Sequence, residues 1–235
     1  MLKNYNLAVQ FYVMKKLLSF IFCLAFAFLG YSQLPKGFVY LKDIDPSIQI
    51  ELRYNSSNNF IGKKIDGYNN AVLVVTKPTA EALKKIQLQL KPKQLSLKIF
   101  DGYRPQKAVN HFGNWAKNTN DTLMKPQYYP SVDKKNLFQL GYIATKSGHS
   151  RGSTIDLTLV DLRTKKEVDM GTPFDFFGHE SWVNYSKITK EQQNNRQLLQ
   201  QIMISNGFRN YSKEWWHFTL NNEPFNNQYF DFNIE

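Results

Sequence analysis

His149 and Asp156 on one segment, with Glu214 and His217 on another, constrain this chain more than any other feature. The first pair lies in Ser147-Gly148-His149-Ser150-Arg151-Gly152-Ser153-Thr154-Ile155-Asp156, the second in Glu214-Trp215-Trp216-His217. Together they supply two imidazoles, one carboxylate ligand and one spare carboxylate. That is the inventory of a catalytic zinc site with its general base: three protein ligands leave a fourth position for water, and a nearby Glu takes the water's proton. A chain that carries such a centre must fold so that segments far apart in sequence converge on one point. Only four His are present, and two of them fall in these motifs.

Strand parity in Thr154-Ile155-Asp156-Leu157-Thr158-Leu159 puts Ile155, Leu157 and Leu159 on one face and Thr154, Asp156 and Thr158 on the other. A carboxylate held in a sheet needs a compensating partner, because unpaired burial costs several kcal/mol. A divalent metal provides one. Gly148 and Gly152 flank His149, which fits a sharply turned loop that swings the imidazole back over the strand. Taken singly, Asp156 and His149 read as a surface acid and a loop imidazole; the second motif tips the balance to a metal.

Glu214 and His217 are three residues apart, which on a regular strand places them on opposite faces. The metal reading therefore requires a bulge, or Glu214 on the loop before the strand. Without a metal, Trp215 and Trp216 are core or substrate-wall aromatics and Glu214 is a solvated edge residue. Arg104, in Asp101-Gly102-Tyr103-Arg104-Pro105, sits on a strand-to-helix corner. It is either a surface charge or a fixed donor aimed at an oxyanion, and spacing alone does not choose. His111 and His179 read as structural or surface residues.

Residues 1–32 stand apart from the fold. Met14-Lys15-Lys16 forms a basic n-region, Leu17 to Leu29 is an almost unbroken apolar run, and Gly30-Tyr31-Ser32 offers small residues for cleavage. The run is shorter than the about 20 apolar residues of a spanning helix. These features predict an export signal, with Met1 to Val13 as an over-extended start, and a mature domain over 33–235 that is periplasmic or secreted. The only cysteine, Cys23, lies inside the apolar run. Disulfides and Cys-based zinc sites are thus excluded from the mature chain, and stability rests on its core. Residues 1–32 carry Lys3, Lys15 and Lys16 and no acid, so the formal charge falls from +11 to +8. Such a balance keeps a secreted domain soluble, and it also suits anionic wall polymers. The Lys residues are scattered without interleaved aromatics, so nucleic-acid binding is not expected.

No repeat or Pro/Gly-rich linker divides 33–235. Pro78 to Leu90 reads as a helix capped by Thr76 or Thr79, with Leu83, Ile86 and Leu90 as its apolar stripe and Pro92 as its stop. Leu95, Leu97 and Ile99 alternate into a strand ending at Asp101-Gly102. Pro105 to Lys117 forms a second helix that buries Val109, Phe112 and Ala116. Thr189-Lys190-Glu191-Gln192 is a capping box that opens a third, ending at Asn206-Gly207. Strand-like stretches surround Ile155 to Val160 and Trp216 to Leu220. Helices segregated from a mostly antiparallel sheet imply a single α+β domain with the metal site on the sheet.

The order Asp-Gly-Tyr-Arg-Pro, then Ser-x-His-x-x-Gly-Ser-x-Ile-Asp-Leu-Thr-Leu, then Glu-Trp-Trp-His closely resembles the zinc D-alanyl-D-alanine dipeptidases. The resemblance runs from Glu51-Leu52-Arg53-Tyr54 through Asn59-Phe60-x-Gly62 and Asp66-Gly67-Tyr68 to Tyr229-Phe230-Asp231-Phe232. It implies one Zn2+ on His149, Asp156 and His217, Glu214 as catalytic base and Arg104 as the transition-state arginine. It also implies substrate contacts at Ser147, Tyr68 and Trp215, and at Asp175 a carboxylate for the dipeptide's free ammonium. An enzyme restricted to dipeptides must count its substrate's ends, and pairing a charged terminus in a closed pocket does so.

Two departures stand out. Asn55-Ser56-Ser57-Asn58 is more polar than the family usually shows, so the pocket rim differs. The export signal separates this chain from the members known for antibiotic resistance, which act in the cytoplasm, and points to scavenging or wall turnover. Two other functions compete with hydrolysis of D-Ala-D-Ala: a D,D-carboxypeptidase or endopeptidase acting on peptidoglycan stem peptides, and a non-catalytic zinc-stabilised binding domain. The last needs no base, so the presence of Glu214 and Arg104 argues against it.

Overall fold

The computed structural model describes residues 34–235, together with Tyr12 and residues 14–16, which are helical. Apart from those four positions, the expected export segment lies outside the described residues. No described helix is long and apolar enough to cross a membrane.

In chain order the elements that frame the site are β1 (Phe38–Tyr40), β2 (Gln49–Ile50), β3 (Val74–Thr76), α1 (Lys77–Leu90), β4 (Leu95–Asp101), α2 (Gln106–Lys117), β5 (Thr154–Asp161), α3 (Lys190–Ser205), β6 (Phe208–Asn210) and β7 (His217–Leu220). β1 and β3 pair as a small antiparallel ribbon. The main sheet has the order β2-β4-β5-β7-β6, parallel only between β2 and β4. This is the expected α+β architecture with a mostly antiparallel sheet. α1 packs on β4 and α3 on β6.

Local chemistry explains the helix ends. α3 opens with the expected capping box: the Thr189 hydroxyl accepts from the Gln192 amide, and the Gln192 side chain accepts from the Thr189 amide. α1 starts one residue before Pro78, with Thr76 at its N-cap. The Thr76 hydroxyl, however, bonds to the hydroxyls of Thr79 and Ser153, each at 2.8 Å, and so ties the helix start to the segment entering β5. Leu83, Ile86 and Leu90 are fully buried as the stripe requires. α2 buries Val109, Phe112 and Ala116, and Trp115 besides.

β5 is buried on both faces over Thr154–Val160. Ile155, Leu157 and Leu159 need only apolar neighbours, but Thr154, Asp156 and Thr158 need polar partners inside the protein. Thr154 finds the Thr219 hydroxyl on β7 at 2.9 Å. Asp156 faces the site.

Candidate metal centre

Asp156 lies at the middle of a row across three strands. On β7 its register partner is His217. On β4 its partner is Asp101, and that pairing exists only because the register slips between Ile99 and Asp101. Ile99 opposes Leu157, so an unbroken antiparallel ladder brings Asp101 beside Ile155. The slip turns Asp101 to the polar face instead.

His149 comes from outside the sheet. It sits on a 3-10 turn, Gly148–Arg151, where the Ser147 hydroxyl accepts from the His149 amide at 3.3 Å. Gly152 reverses the chain into β5 at φ 80°, and a Cβ there would meet the Phe38 ring at 2.3 Å, so only glycine fits. Arg104 is drawn to the same turn: its backbone N–H donates to the His149 carbonyl at 3.2 Å. Glu214 lies in the turn before β7, not on the strand, which settles how Glu214 and His217 reach one site despite their odd spacing.

His149 Nδ1 is 2.7 Å from the Gly102 carbonyl. A carbonyl only accepts, so Nδ1 carries the proton and the Nε2 lone pair points inward. Nε2 approaches Asp156 Oδ2 to 3.2 Å, and His217 Nδ1 approaches Asp156 Oδ1 to 3.1 Å. One donor atom from each of the three residues lies within 4.8 Å of the others. Yet His149 Nε2 and Asp156 Oδ1 are buried and make no hydrogen bond. Orphaned lone pairs that converge in this way fit a shared cation, since leaving them unpaired is costly. Two imidazoles and a carboxylate are the donors of a Zn2+ site that keeps an open position.

Charge follows burial. Burial favours the neutral form of Asp156, but the two imidazoles outweigh it and hold the carboxylate below its usual range. Burial lowers His149 as well, against the pull of Asp156. His217 goes the other way: burial opposes its charged form, and Asp156 overcomes that. Burial pushes Glu214 up to about 7, with His217 opposing. Its Oε2 lies 3.3 Å from His217 Nδ1.

A cavity of about 310 Å3 gathers His149, Asp156, His217, Glu214, Arg104, Ser147 and Asp175 on one wall system, together with Tyr54 and Trp216. Asp175 is buried, in the left-handed region at φ 63°, and accepts from the Tyr54 hydroxyl through both oxygens at 3.0 and 3.1 Å. Burial pushes its carboxyl well above the ordinary range.

Two expected substrate contacts sit elsewhere. Tyr68 is fully buried and its hydroxyl is spent on Asp101 Oδ1 at 2.6 Å, so it does not line the cavity. Trp215 faces a separate hollow and donates from its indole to Thr172 Oγ1 at 2.9 Å, while its neighbour Trp216 lines the site. Glu214–Trp216 is a turn rather than strand, and within it Trp216, not Trp215, is the residue that reaches the site. Tyr54 and Asp101 escape the sequence reading, which leaves Trp216 between core and substrate wall. Tyr54 was in view within Glu51-Leu52-Arg53-Tyr54, but only its tertiary contact with Asp175 marks it.

The family model described as D-ala-D-ala dipeptidase matches residues 35–235. The chain belongs to that family. It is 41% identical over 199 residues to the D-alanyl-D-alanine dipeptidase of Enterococcus faecium, covering 85% of this chain and 98% of that one. The counterpart from Enterococcus faecalis is 40% identical, over 84% of this chain and 98% of its own length. That of Streptomyces coelicolor is 37% identical over the same shares. This D-Ala-D-Ala dipeptidase family member is therefore a peptidase, with His149, Asp156 and His217 as the residues that fit its metal.

Proposed function

We propose that the protein hydrolyses D-Ala-D-Ala to two D-alanines with one zinc ion held by His149, Asp156 and His217. When bound, the ion supplies Lewis-acid polarisation of the scissile carbonyl and makes water nucleophilic near neutral pH. Glu214 takes the proton of the attacking water and passes it to the departing amine. Arg104 donates to the developing oxyanion, a contact whose removal typically costs about 2.7–4 kcal/mol in the barrier. Asp175 pairs with the free ammonium, which offsets the burial that otherwise favours its neutral form. Trp216 and Tyr54 wall off water.

The observation that carries this reading is Asp175, buried in the same cavity as the metal centre. A carboxylate there selects a substrate that brings its own positive end. The volume lies near the bottom of the range for ligand pockets, about 300–1,000 Å3, which suits a dipeptide better than a stem peptide. The test is D-alanine release by zinc-loaded protein from free D-Ala-D-Ala and from an N-acylated peptide ending in D-Ala-D-Ala, with Glu214→Ala as control. Release from the free dipeptide alone, lost in the control, is the expected result. Release from the acylated peptide moves the assignment to a wall-directed carboxypeptidase.

We also propose that the domain is exported and acts in dipeptide scavenging or wall turnover. The basic Met14-Lys15-Lys16 followed by the apolar run to Leu29 supports this. Fractionation of native cells checks it, and full-length protein in the cytoplasm would overturn it.

A further inference from the structure

Asp101 is a fully buried carboxylate that the proposed reaction leaves without a task. It is not a metal ligand. Its Oδ2 nears His149 only at Nδ1, 3.5 Å away, on the protonated side of the ring. Both oxygens are engaged elsewhere. Oδ2 accepts from Arg104 Nε at 2.9 Å and lies 2.8 Å from Nη2, while Oδ1 accepts from the Tyr68 hydroxyl.

Arg104 has two carboxylates within reach, and the distances rank them. Nη2 lies 3.4 Å from Asp156 Oδ2, a longer and weaker contact than either bond to Asp101. Without Asp101 the guanidinium would settle on Asp156 and compete with the cation for that ligand's oxygen. With Asp101 it is drawn back. It also rests against the rings of Tyr54 and Phe112, whose centroids lie 5.0 and 5.1 Å from the guanidinium carbon. Nη1 makes no hydrogen bond among the described residues, and Arg104 opens onto the cavity. One edge of the fork is therefore pinned, and the other is free to donate.

We propose that Asp101, itself oriented by Tyr68, is a positioning residue that fixes the Arg104 guanidinium with Nη1 toward the oxyanion and keeps it off Asp156. The role depends on Tyr68 lying behind the site, where it braces Asp101 instead of touching substrate. This inference rests on the dipeptidase reading above for its kinetic consequence, though not for its geometry.

A double-mutant cycle tests it with Asp101→Asn, Arg104→Ala and the pair, each assayed for D-Ala-D-Ala turnover and zinc content. Asp101→Asn is expected to lower kcat by about 10²-fold, the scale of a misplaced catalytic group, with KM little changed and zinc stoichiometric. In the Arg104→Ala background the same change should cost almost nothing more, because the group it positions is gone. Tyr68→Phe should lower kcat in the same direction by less. A full additive loss on top of Arg104→Ala overturns the proposal, as does a kcat drop explained by lost zinc. An unchanged kcat in Asp101→Asn overturns it too. Should Asp101→Asn not fold, an unchanged kcat in Tyr68→Phe does the same.

A readout independent of turnover separates this inference from the function it rests on. In zinc-loaded protein labelled with 15N-arginine, the Arg104 Nε–H signal, assigned by its loss in Arg104→Lys, should exchange slowly with water. It should exchange fast in Asp101→Asn. An inactive wild type with a protected signal sinks the dipeptidase reading alone, while an active wild type with an unprotected signal sinks the positioning role.

Discussion

Asp156 and Asp161 stand near the two ends of one strand, and both carboxylates are held below the ordinary range, yet for opposite reasons. Asp161 is satisfied by its own neighbourhood. Its Oδ1 accepts the backbone N–H groups of Arg163 and Thr164 at 2.8 and 3.1 Å, and Arg163 Nη2 lies 2.7 Å from Oδ2. The group is partly exposed, and hydrogen bonds from Arg163 lead the shift. Asp156 is buried, draws its partners from the turn that enters its strand and from a neighbouring strand, and still leaves Oδ1 unbonded. A depressed acid is thus no mark of a site. Long-range partners, burial and an unfilled lone pair together are.

The largest expected contrast comes from neutralising each end in turn. Asp156→Asn should abolish stoichiometric zinc binding and with it all turnover, whereas Asp161→Asn should keep both. Metal analysis of the purified variants measures this. For wild type, zinc at about 1,000 times its Kd stabilises the fold by about 4.1 kcal/mol by mass action, so chelation should lower Tm sharply. Asp161→Asn should show the same chelator shift and Asp156→Asn none. Full zinc occupancy in Asp156→Asn would break the comparison at its root.

Next in size is Glu214, which separates binding metal from using it. Glu214→Gln should retain zinc and lose about 10²–10⁴-fold in kcat, the usual range for a general base. The pH profile adds a sign. The base works as a carboxylate, so kcat/KM falls as pH drops through its pKa. Burial, opposed by His217, pushes that value up to about 7, and a cation on the three ligands favours the carboxylate and lowers it. The acid limb of the zinc enzyme should therefore lie below 7 and vanish from the residual rate of Glu214→Gln. A limb above 7 would show that another group is the base.

Asp175 sharpens the contrast from within the cavity. Asp175→Asn should cripple turnover of the free dipeptide, which carries an ammonium, and leave any slow cleavage of an N-acylated peptide unaltered. Equal losses on both substrates would mean that the residue shapes the cavity and does not read the amino end.

These contrasts also mark what the sequence made legible. The strand parity of Thr154–Leu159 and the glycines around His149 left local signatures of a centre built from adjacent strand and loop, and Glu214-Trp215-Trp216-His217 was needed to read them as a metal site. α3 announced both its ends through the capping box and Asn206-Gly207. Asp101 was opaque: the alternation Leu95, Leu97, Ile99 says nothing of a slip after Ile99, and a slip is decided by the neighbouring strand. Trp215 entered as a contact by resemblance, and the turn before β7, which begins at His217, gives that place to Trp216 instead. Tyr68 shows the limit of carrying a role by motif, because its hydroxyl was already taken by a carboxylate that no spacing rule placed there.

The smallest effect belongs to the far end of β5. Asp161 has a folded pKa below its unfolded value, so its contribution to stability is present above the unfolded carboxylate's pKa, about 3.9, and is lost as pH falls below it. Solvent screens the pair with Arg163, so the contribution is minor and should shrink further in high salt. Asp161→Asn should accordingly shift Tm slightly at neutral pH and not at all in strong acid, with kcat and zinc content equal to wild type throughout. Thermal melts across pH, run beside the activity assay, check both halves. If Asp161→Asn were to reduce kcat while leaving Tm alone, the two ends of β5 would be coupled, and the separation of a local turn from an assembled site would not hold.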